Sequence, residues 1–325
     1  MRGLMYNITS IRNILKLFLF TTLSIIILGL VGSGYRIFSS QEKETSLELS
    51  PNVIVVDPDD PTLNRNFTCI TTQILMNVFQ TSLCLHSKHD TVSKSVAERR
   101  VWEENDVSRL LNILVRNPEM QMIDIGANIG GFTMFIAGAL GRFTLAIECY
   151  LPSIERIARA VQLRNAQKNV VLVQNALYSS PGKYLTITTD DPSGIRLQEG
   201  TTEKESKNEF VVKTIKFDDL LPILIQRKVK TAMIKIDIET SESYICATGA
   251  KIFDQINIPY IMMEWHSWRV KHQQRYQYIV DFMTARGYIP VDASCKELNP
   301  NDWLNLSWPG NIFWIKKSYP RNLLC

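Results

Sequence analysis

The feature that most constrains the fold is an apolar strand that runs into a glycine-rich turn and then into a helix. It spans residues 122–133 and reads MIDIGANIGGFT. Glycine takes positive φ angles and lets the backbone approach a ligand closely, so such a turn is typical of a small-molecule site. An ordinary tight turn between a strand and a helix is the alternative interpretation.

Strand-like and helix-like segments alternate along most of the chain. Apolar runs of strand length are predicted at 121–125, 143–148, 170–174, 183–189, 209–216, 231–237, 258–264, 287–292 and 311–316. Helices are predicted at 130–140, 153–167, 217–227, 242–253 and 271–286. Strands separated by helices imply crossover connections and a sheet covered on both faces. The pattern therefore predicts an α/β fold with a doubly wound, mainly parallel, seven-stranded sheet and a β-hairpin insertion, whose ligand lies beyond the strand C-termini.

The segment before this sheet, residues 69–116, has a mostly helical pattern. Val107, Leu110 and Leu114 belong to an apolar face that ends before Asn117 and a proline. We expect a helix that leads into the sheet. At 325 residues, with 45% hydrophobic and 21% charged content, the chain is long enough for one large α/β domain with appendages.

The chain begins with a segment typical of a membrane anchor. Residues 17–34 run for 18 residues without a charge, close to the length that crosses a bilayer. The basic residues that precede this segment predict residues 1–16 as a cytoplasmic tail. Residues 35–68 are predicted as a stem, and 69–325 as a lumenal domain with its core at about 90–316. We expect a type II membrane protein of the secretory pathway, in the Golgi; a cleaved signal peptide is the alternative.

Two glycosylation sequons fit this topology. Asn66-Phe67-Thr68 and Asn305-Leu306-Ser307 match the acceptor pattern, although such triplets also arise by chance. A third match, at Asn7, would be cytoplasmic.

The six cysteines also fit an oxidising compartment. Four of them lie outside the predicted sheet, and the candidate disulfides are Cys69 with Cys84 and Cys295 with Cys325. The sequence leaves the connectivity open. The remaining two, Cys149 and Cys246, fall in predicted core elements, where we expect buried free thiols.

The charge distribution argues against one class of partner. The net charge of +4 is mild. The chain has no long block of Lys and Arg with interleaved aromatic residues, as a surface that follows a phosphate backbone would need. We therefore do not expect nucleic acid as a partner.

The glycine-rich turn lacks a dinucleotide fingerprint. Dinucleotide binding uses a second glycine to make room for a pyrophosphate, and Asn128 stands at that place. Asp124, at the end of the strand, can accept hydrogen bonds from an ammonium group directly or through water. Glu148 closes the next strand, where an acid can accept both hydroxyls of a ribose. Asn175 and Ala176 follow the third strand, at the position from which an adenine edge could be met.

Four segments, MIDIGANIGGFT, AIE, NAL and IKIDIETSE, together resemble the FkbM-type family of S-adenosylmethionine-dependent methyltransferases. The similarity covers about residues 90–316. It implies a class I methyltransferase fold, S-adenosylmethionine as the cofactor, and methyl transfer to an oxygen, commonly a hydroxyl of a sugar or natural product. The family's cofactor motif falls on Asp124, Gly126, Asn128 and Gly130, and its ribose acid on Glu148.

Two positions depart from the family's pattern. Cys149 follows the ribose acid where the family usually has proline, which we expect to be harmless. Thr240 stands where the family motif has glycine, and a residue with a Cβ does not freely take a positive φ. The resemblance therefore leaves open the geometry of the backbone after that strand.

Methyl transfer to an alcohol requires that the partners be aligned and that a proton be removed near the transition state. Strand alternation in residues 234–239 (IKIDIE) places Lys235, Asp237 and Glu239 on one side. We predict that Asp237 or Glu239 is the general base or holds the acceptor hydroxyl, while Lys235 pairs with them. A purely structural ion pair between Lys235 and one carboxylate is the alternative.

A second pair of candidate residues, Glu264 and His266, ends the next strand. Glu264 could share the acceptor, and His266 could act as a base near neutral pH, or else be a packed histidine beside tryptophans. Together with Asp237 and Glu239 they could chelate a divalent cation, but their spacing alone predicts no metal.

These features predict a lumenal O-methyltransferase that uses S-adenosylmethionine and acts on a hydroxyl of a carbohydrate. One alternative is a nucleotide-sugar oxidoreductase, which would bind a nicotinamide cofactor. Another is a membrane-anchored scaffold that keeps the fold without catalysis, for which Thr240 is the one hint.

Overall fold

The computed structural model describes residues 48–86, 90–189, 191–192, 194–201, 208–265, 267–304 and 308–324. All of them belong to one unit, Leu47–Cys325. The predicted tail and anchor, residues 1–34, lie outside the described residues, as do the sequon at Asn305 and the candidate cysteine Cys325. Within the described ranges, no helix is both long enough and apolar enough to cross a bilayer.

Strands and helices alternate as the sequence predicts. The strands are β1 (Val55–Val56), β2 (Cys69–Thr71), β3 (Ser82–Cys84), β4 (Met120–Ile125), β5 (Thr144–Glu148), β6 (Val170–Gln174), β7 (Ala176–Leu177), β8 (Tyr184–Thr188), β9 (Arg196–Thr201), β10 (Val211–Ile215), β11 (Thr231–Ile236), β12 (Tyr260–Glu264), β13 (Tyr288–Val291) and β14 (Asn311–Lys316). The α-helices are α1 (Thr91–Arg99), α2 (Glu104–Arg116), α3 (Leu151–Leu163), α4 (Leu221–Gln226), α5 (Ser243–Thr248), α6 (Ala250–Gln255) and α7 (Gln273–Ala285).

The central sheet is mixed and, in the described part of the chain, contains eight strands in the order β1-β6-β5-β4-β11-β12-β14-β13. The five strands from β6 to β12 run parallel. β14 is antiparallel to both of its neighbours, and β1 is antiparallel to β6. The α/β class is confirmed. The predicted number of seven strands is wrong by one, because β1 comes from residues assigned to the stem.

The central strands are buried on both faces, which explains their nearly continuous apolar sequences. In β4, Ile123 and Ile125 pack into one hydrophobic layer, whereas Met120 and Met122 pack into the layer on the opposite face. Side chains of a strand alternate between faces, so a strand between two layers needs apolar residues at every position. Gln121, which is half-buried, and Asp124, which is fully buried, are the exceptions in this strand, and the burial of Asp124 calls for specific partners.

The region between the stem and the sheet is only partly helical. Residues 69–84 contain the hairpin of β2 and β3, closed by a disulfide between Cys69 and Cys84, so the predicted pairing is confirmed while the predicted helix there is wrong. Helix α1 then begins at a cap in which Asp90 accepts a hydrogen bond from the backbone N–H of Ser93 at 2.8 Å. Helix α2 leads into β4 as expected.

The glycine-rich turn is followed by a π-helical segment, Met134–Ala139, where the sequence predicts an α-helix over 130–140. The segment packs tightly against the β2–β3 hairpin, because a Cβ added to Gly138 would lie 2.9 Å from the hydroxyl of Thr81. This contact joins residues far apart in the sequence, so local propensity could not reveal it.

The predicted hairpin insertion is confirmed and is part of a larger unit. Strands β8 and β10 pair antiparallel, and β7 and β9 extend them to a four-stranded sheet in the order β7-β10-β8-β9. Its residues Ile195 and Leu197 line a cavity at the C-terminal edge of the central strands. The insertion thus forms one wall of the candidate site.

Candidate functional site

A cavity of about 650 Å³ lies beyond the C-terminal ends of β4, β5 and β11, the edge at which parallel α/β sheets bind ligands. Its polar lining comes from the strand ends and their loops, and its apolar lining from the central strands and the insertion. The residues that line it include Ile125, Gly126, Asn128, Ile147, Glu148, Asn175, Ala176, Leu177, Ile195, Leu197, Asp237, Glu239 and Ser241. Five of the seven predicted cofactor residues are among them. We call it the cofactor cavity.

The glycine-rich turn has a backbone that few residues can adopt. Gly126 has a φ of 79°, and a Cβ at this position would lie 1.8 Å from the carbonyl oxygen of Asp237. Asn128 has a φ of 50°, a conformation that asparagine tolerates better than most residues. Its side-chain oxygen also accepts the N–H of Ile129 at 2.6 Å. The turn therefore brings the ends of β4 and β11 into contact beside the cavity.

Glu148 is held in place by the backbone around it. Its two carboxylate oxygens accept the N–H groups of Asn128 and Tyr150, each at 2.8 Å. Burial raises the pKa of Glu148, and these two donors oppose the rise because they stabilise the carboxylate. Each carboxylate oxygen has two acceptor positions, so the side chain can still accept hydroxyl donors from the cavity.

Two residues of the predicted cofactor motif lie outside the cavity lining. Asp124 is fully buried. It accepts hydrogen bonds from the backbone N–H of Thr133 at 3.1 Å and from its hydroxyl at 2.6 Å. Gly130 faces helix α3, where a Cβ would lie 3.3 Å from Ile157. Neither residue lines the cavity, and both shape the turn from behind.

Asn175 lines the cavity, but its amide is already engaged. The side-chain oxygen accepts the N–H of Ile54 at 2.8 Å, and the side-chain nitrogen donates to the carbonyls of Asn52 and Lys213, both at 3.0 Å. Both amide hydrogens are thus used to join the stem to the two sheets. Asn175 and Ala176 both line the cavity at the position predicted for an adenine edge, and the amide hydrogens of Asn175 are used within the protein.

Three carboxylates meet beside the cavity. Oxygens of Asp237, Glu239 and Glu264 lie within 4.8 Å of one another. Strand alternation is not what unites them, because β11 ends at Ile236 and Glu239 has a φ of 50° in the following turn. His266, the fourth predicted catalytic residue, lies outside the described residues. We call the three residues the acid cluster.

Two carboxyl groups of the acid cluster, those of Glu239 and Glu264, have raised pKa values. Burial, together with the nearby carboxylate of Asp237, raises the pKa of Glu239 to about 7. Burial and the charges of Asp237 and Glu239 raise the pKa of Glu264 well above its ordinary value. Like charges at this distance disfavour full ionisation, so at least one proton is shared near neutral pH.

Lys235 supplies the compensating charge. Its Nζ lies 3.2 Å from Asp237 and 3.9 Å from Asp124, and it donates to the carbonyl of Gly126 at 2.7 Å. Burial lowers its pKa, but the neighbouring carboxylates raise it by more, so the ammonium stays charged. The predicted ion pair of Lys235 with Asp237 is present, and the same lysine fixes the glycine-rich turn.

One acidic residue near the cluster was missed in the sequence. Glu103, before helix α2, interacts electrostatically with Lys235 and Asp237, and burial raises its pKa to about 7. It lies far from both partners in the sequence and in no recognisable motif. The cavity wall contributed by the insertion was missed for the same reason, since only the fold brings Ile195 and Leu197 to the sheet edge.

The cofactor cavity suits S-adenosylmethionine. An apolar wall next to Glu148, Asp237 and Glu239 combines a surface for an adenine with acids for hydroxyl and cationic groups. The acid cluster is also close enough for its oxygens to share a divalent cation, the ligand type that such ions prefer. Measurement of the activity in EDTA would distinguish the two uses of these acids.

Comparison with known proteins gives the following matches. Residues 124–290 match the family described as the methyltransferase FkbM domain. No curated protein matches the chain. Among solved structures, TYW2 of M. jannaschii in complex with AdoMet is 12% identical with a TM-score of 0.32, over 72% of this chain and 80% of that chain. TYW2 of P. horikoshii in complex with MeSAdo is 10% identical with a TM-score of 0.36, over 78% of this chain and 73% of that chain.

A third similar structure is precorrin-6y C5,15-methyltransferase from Geobacter metallireducens, 10% identical with a TM-score of 0.32, over 72% of this chain and 92% of that chain. The family match spans more than half of the 325 residues and begins at Asp124 in the glycine-rich turn. It also includes the acid cluster. The chain therefore belongs to the FkbM methyltransferase domain family, a family of S-adenosylmethionine-dependent methyltransferases.

Proposed function

We propose that this protein is an O-methyltransferase that transfers the methyl group of S-adenosylmethionine to a hydroxyl of a carbohydrate acceptor. The observation that carries the proposal is the acid cluster, because two of its carboxylates, Asp237 and Glu239, line the cofactor cavity and the pKa of Glu239 is raised to about 7. A hydroxyl is a poor nucleophile until its proton is removed, and carboxylates are suitable acceptors for that proton.

Bound in the cavity, S-adenosylmethionine supplies a methyl group on a positively charged sulfur. The side chains of Glu148 and Asp237 are placed to hold hydroxyl and cationic groups of such a molecule. Gly126 and Ala176 leave room for it at the strand ends. In these assignments Glu148 binds the cofactor, and Asp237 either binds the cofactor or orients the acceptor.

Glu239 is the favoured proton acceptor. It lines the cofactor cavity, and its pKa of about 7 lets a large fraction be ionised at neutral pH while the group remains a competent base. When the acceptor oxygen takes the methyl group, the bond from that carbon to sulfur would break with its electron pair left on the sulfur of S-adenosylhomocysteine, and the hydroxyl proton would pass to this carboxylate. Asp237 forms an ion pair with Lys235, whose Nζ lies 3.2 Å away, so Asp237 is better suited to orient the acceptor or the cofactor than to take the proton.

We also propose that the protein works in the secretory pathway, anchored by residues 17–34, with its catalytic part in the lumen. Two observations support an oxidising compartment: the disulfide between Cys69 and Cys84, and a second disulfide that includes Cys295. Glycans are abundant acceptors there, which supports a carbohydrate rather than a nucleic-acid substrate.

The test has two parts. Calorimetry of the full chain should detect binding of S-adenosylmethionine and none of NAD. Labelled methyl transfer to a panel of oligosaccharides should then produce a methyl ether, and Asp237→Asn and Glu239→Gln should reduce the rate while the variants stay folded. If both variants kept the full rate, the proposed role of the acid cluster would be wrong.

A further inference from the structure

A second cavity, of about 960 Å³, adjoins the cofactor cavity. The two cavities share Leu197, Glu239 and Ser241 in their linings. A molecule in the second cavity can therefore place one of its groups beside Glu239 while the cofactor lies on the other side of the same residues. We call it the acceptor cavity.

Basic side chains dominate the polar lining of the acceptor cavity. Arg196, His272 and Arg275 line it, and Glu239 is the single acid among the described residues that do so. Basic side chains therefore outnumber acidic ones among the described residues that line this cavity.

Arg275 is the best-placed anchor for an anion. Its guanidinium packs over the ring of Tyr244, 5.3 Å from the ring centre, and its Nη1 donates to the carbonyl of Thr240 at 3.5 Å. These contacts hold the planar group in place and use one of its five N–H donors. An arginine held by a ring and a carbonyl is pre-organised to pair with a carboxylate through two parallel hydrogen bonds.

Two tyrosines form the remaining recognition surface. The rings of Tyr178 and Tyr244 lie 4.6 Å apart at an angle of 53°, and both line the acceptor cavity. The hydroxyl of Tyr178 donates to Glu199 at 2.7 Å, which fixes the ring from outside. Tyrosine combines an apolar ring with a polar tip, a surface that suits a ligand with both C–H and hydroxyl groups.

From this juxtaposition we infer that the acceptor cavity binds a sugar that carries a carboxylate, of the uronic-acid class, with the carboxylate on Arg275 and a hydroxyl at Glu239. The inference rests on the proposed function, since it names the acceptor of the same reaction. It goes further in requiring a negative charge on the acceptor, because a carboxylate can pair with Arg275 through two charge-assisted hydrogen bonds and a neutral sugar cannot.

The chain offers a closely matched control for Arg275. Arg227 packs over the ring of Phe143 at 5.2 Å and donates to the carbonyl of Lys168 at 3.0 Å, yet it lines neither cavity. Arg275→Met and Arg227→Met remove the same charge from the same kind of environment. Only the first removes it from the acceptor cavity.

The experiment is calorimetry of the full chain with methyl β-D-glucuronoside and methyl β-D-glucoside, each with and without S-adenosylhomocysteine. We expect the glucuronoside to bind about tenfold tighter than the glucoside, the factor for one charge-assisted pair. Arg275→Met should remove that difference, Arg275→Lys should restore part of it, and Arg227→Met should leave it unchanged.

Equal affinities for the two glycosides, tighter binding of the glucoside, or no binding of the glucuronoside at millimolar concentration would each overturn the inference. Retained binding of S-adenosylhomocysteine by Arg275→Met shows that the cofactor cavity is intact in the variant. If the unmodified chain failed to bind S-adenosylhomocysteine, the proposed function would fail instead. Arg275-dependent binding of the glucuronoside would still support the assignment of the cavity.

Discussion

At the scale of single residues, Gly126 joins the glycine-rich turn to the loop that follows β11. Its carbonyl accepts a hydrogen bond from Lys235 at 2.7 Å, and the missing side chain leaves room for the carbonyl of Asp237. A side chain here would push β4 and β11 apart at the point where their ends meet the cavity. The glycine therefore serves the position of Asp237 as much as the approach of a ligand.

Gly126→Ala tests this close contact. We expect a loss of more than ~3 kcal/mol in the free energy of unfolding, because a positive φ of 79° and a backbone clash act together. Gly287→Ala is the matched control, since Gly287 has a φ of 77° but nothing within 4 Å of the added Cβ. The control should lose only about 1–2 kcal/mol, the cost of the left-handed conformation. The unfolding free energies of both variants are measured in urea. Equal losses would mean that the backbone near Asp237 moves and relieves the clash with the added Cβ.

Thr240 shows how the chain tolerates its departure from the family pattern. It has a φ of 73°, so the backbone keeps the conformation for which the family uses glycine. The cost is about 1–2 kcal/mol for a residue with a Cβ. Glu242 offsets part of it, because its carboxylate accepts the N–H groups of Ile238 at 3.4 Å and Thr240 at 3.1 Å. The geometry that the sequence left open is thus preserved, and this removes the one hint of an inactive scaffold.

At the scale of elements, the ends of β11 and β12 determine a pH dependence. If Glu239 accepts the proton, the transfer rate should rise with pH through about 7, as its carboxyl ionises. Stability should move in the opposite direction. The folded chain binds more protons than the unfolded chain between the ordinary Glu239 pKa of 4.5 and about 7, so the unfolding free energy falls as pH rises through this window.

Glu239→Gln should remove the rise in rate and the part of the stability trend that Glu239 contributes. We expect the rate to fall by about 100-fold and to lose its rise near pH 7. The difference in unfolding free energy between the variant and the unmodified chain should change steadily between pH 4.5 and 7, the window set by the ordinary and raised pKa values. The profiles are measured in EDTA, so that no divalent cation bridges the acids. A variant that kept the rise near pH 7 would shift the role of base to another group.

The β2–β3 hairpin gives a prediction about stability alone. Its disulfide closes a loop between residues 15 positions apart, Cys69 and Cys84, and a loop of this length corresponds to about 3 kcal/mol. Replacing both cysteines by alanine should lower the unfolding free energy by about that amount. Binding of S-adenosylhomocysteine should persist in the folded fraction, because neither residue lines the cofactor cavity. An equal loss of affinity would show that the hairpin supports the cavity directly.

The elements that the sequence predicted well are those with a local signal. The apolar run of β4 and its glycines located the turn, and the acid at the end of β5 located Glu148. What the sequence did not reveal depends on distant contacts. Strand β1 has two residues, Val55–Val56, and forms only because β6 offers an edge. Asn175 forms hydrogen bonds, and Glu103 interacts electrostatically, with residues far away in the sequence. No local sequence pattern predicts these contacts.

At the scale of the whole molecule, the part predicted as a stem belongs to the folded unit. Val55 and Val56 extend the central sheet, and Asn175 holds the backbone at Asn52 and Ile54. Truncation at residue 69, the predicted start of the lumenal domain, would remove an edge strand and expose β6. The folded unit therefore includes residues 48–68, which the sequence assigns to the stem.

This topology makes a prediction that glycosylation can test. With residues 17–34 as an anchor and the catalytic part in the lumen, Asn66 and Asn305 are accessible to the glycosylation machinery, whereas Asn7 is cytoplasmic. Asn66 is exposed in the folded unit, so a glycan there is compatible with the fold. Enzymatic removal of N-glycans should lower the mass of the full chain by two glycans. Asn66→Gln and Asn305→Gln should each remove one and Asn7→Gln none, while a glycan at Asn7 alone would show the reverse orientation.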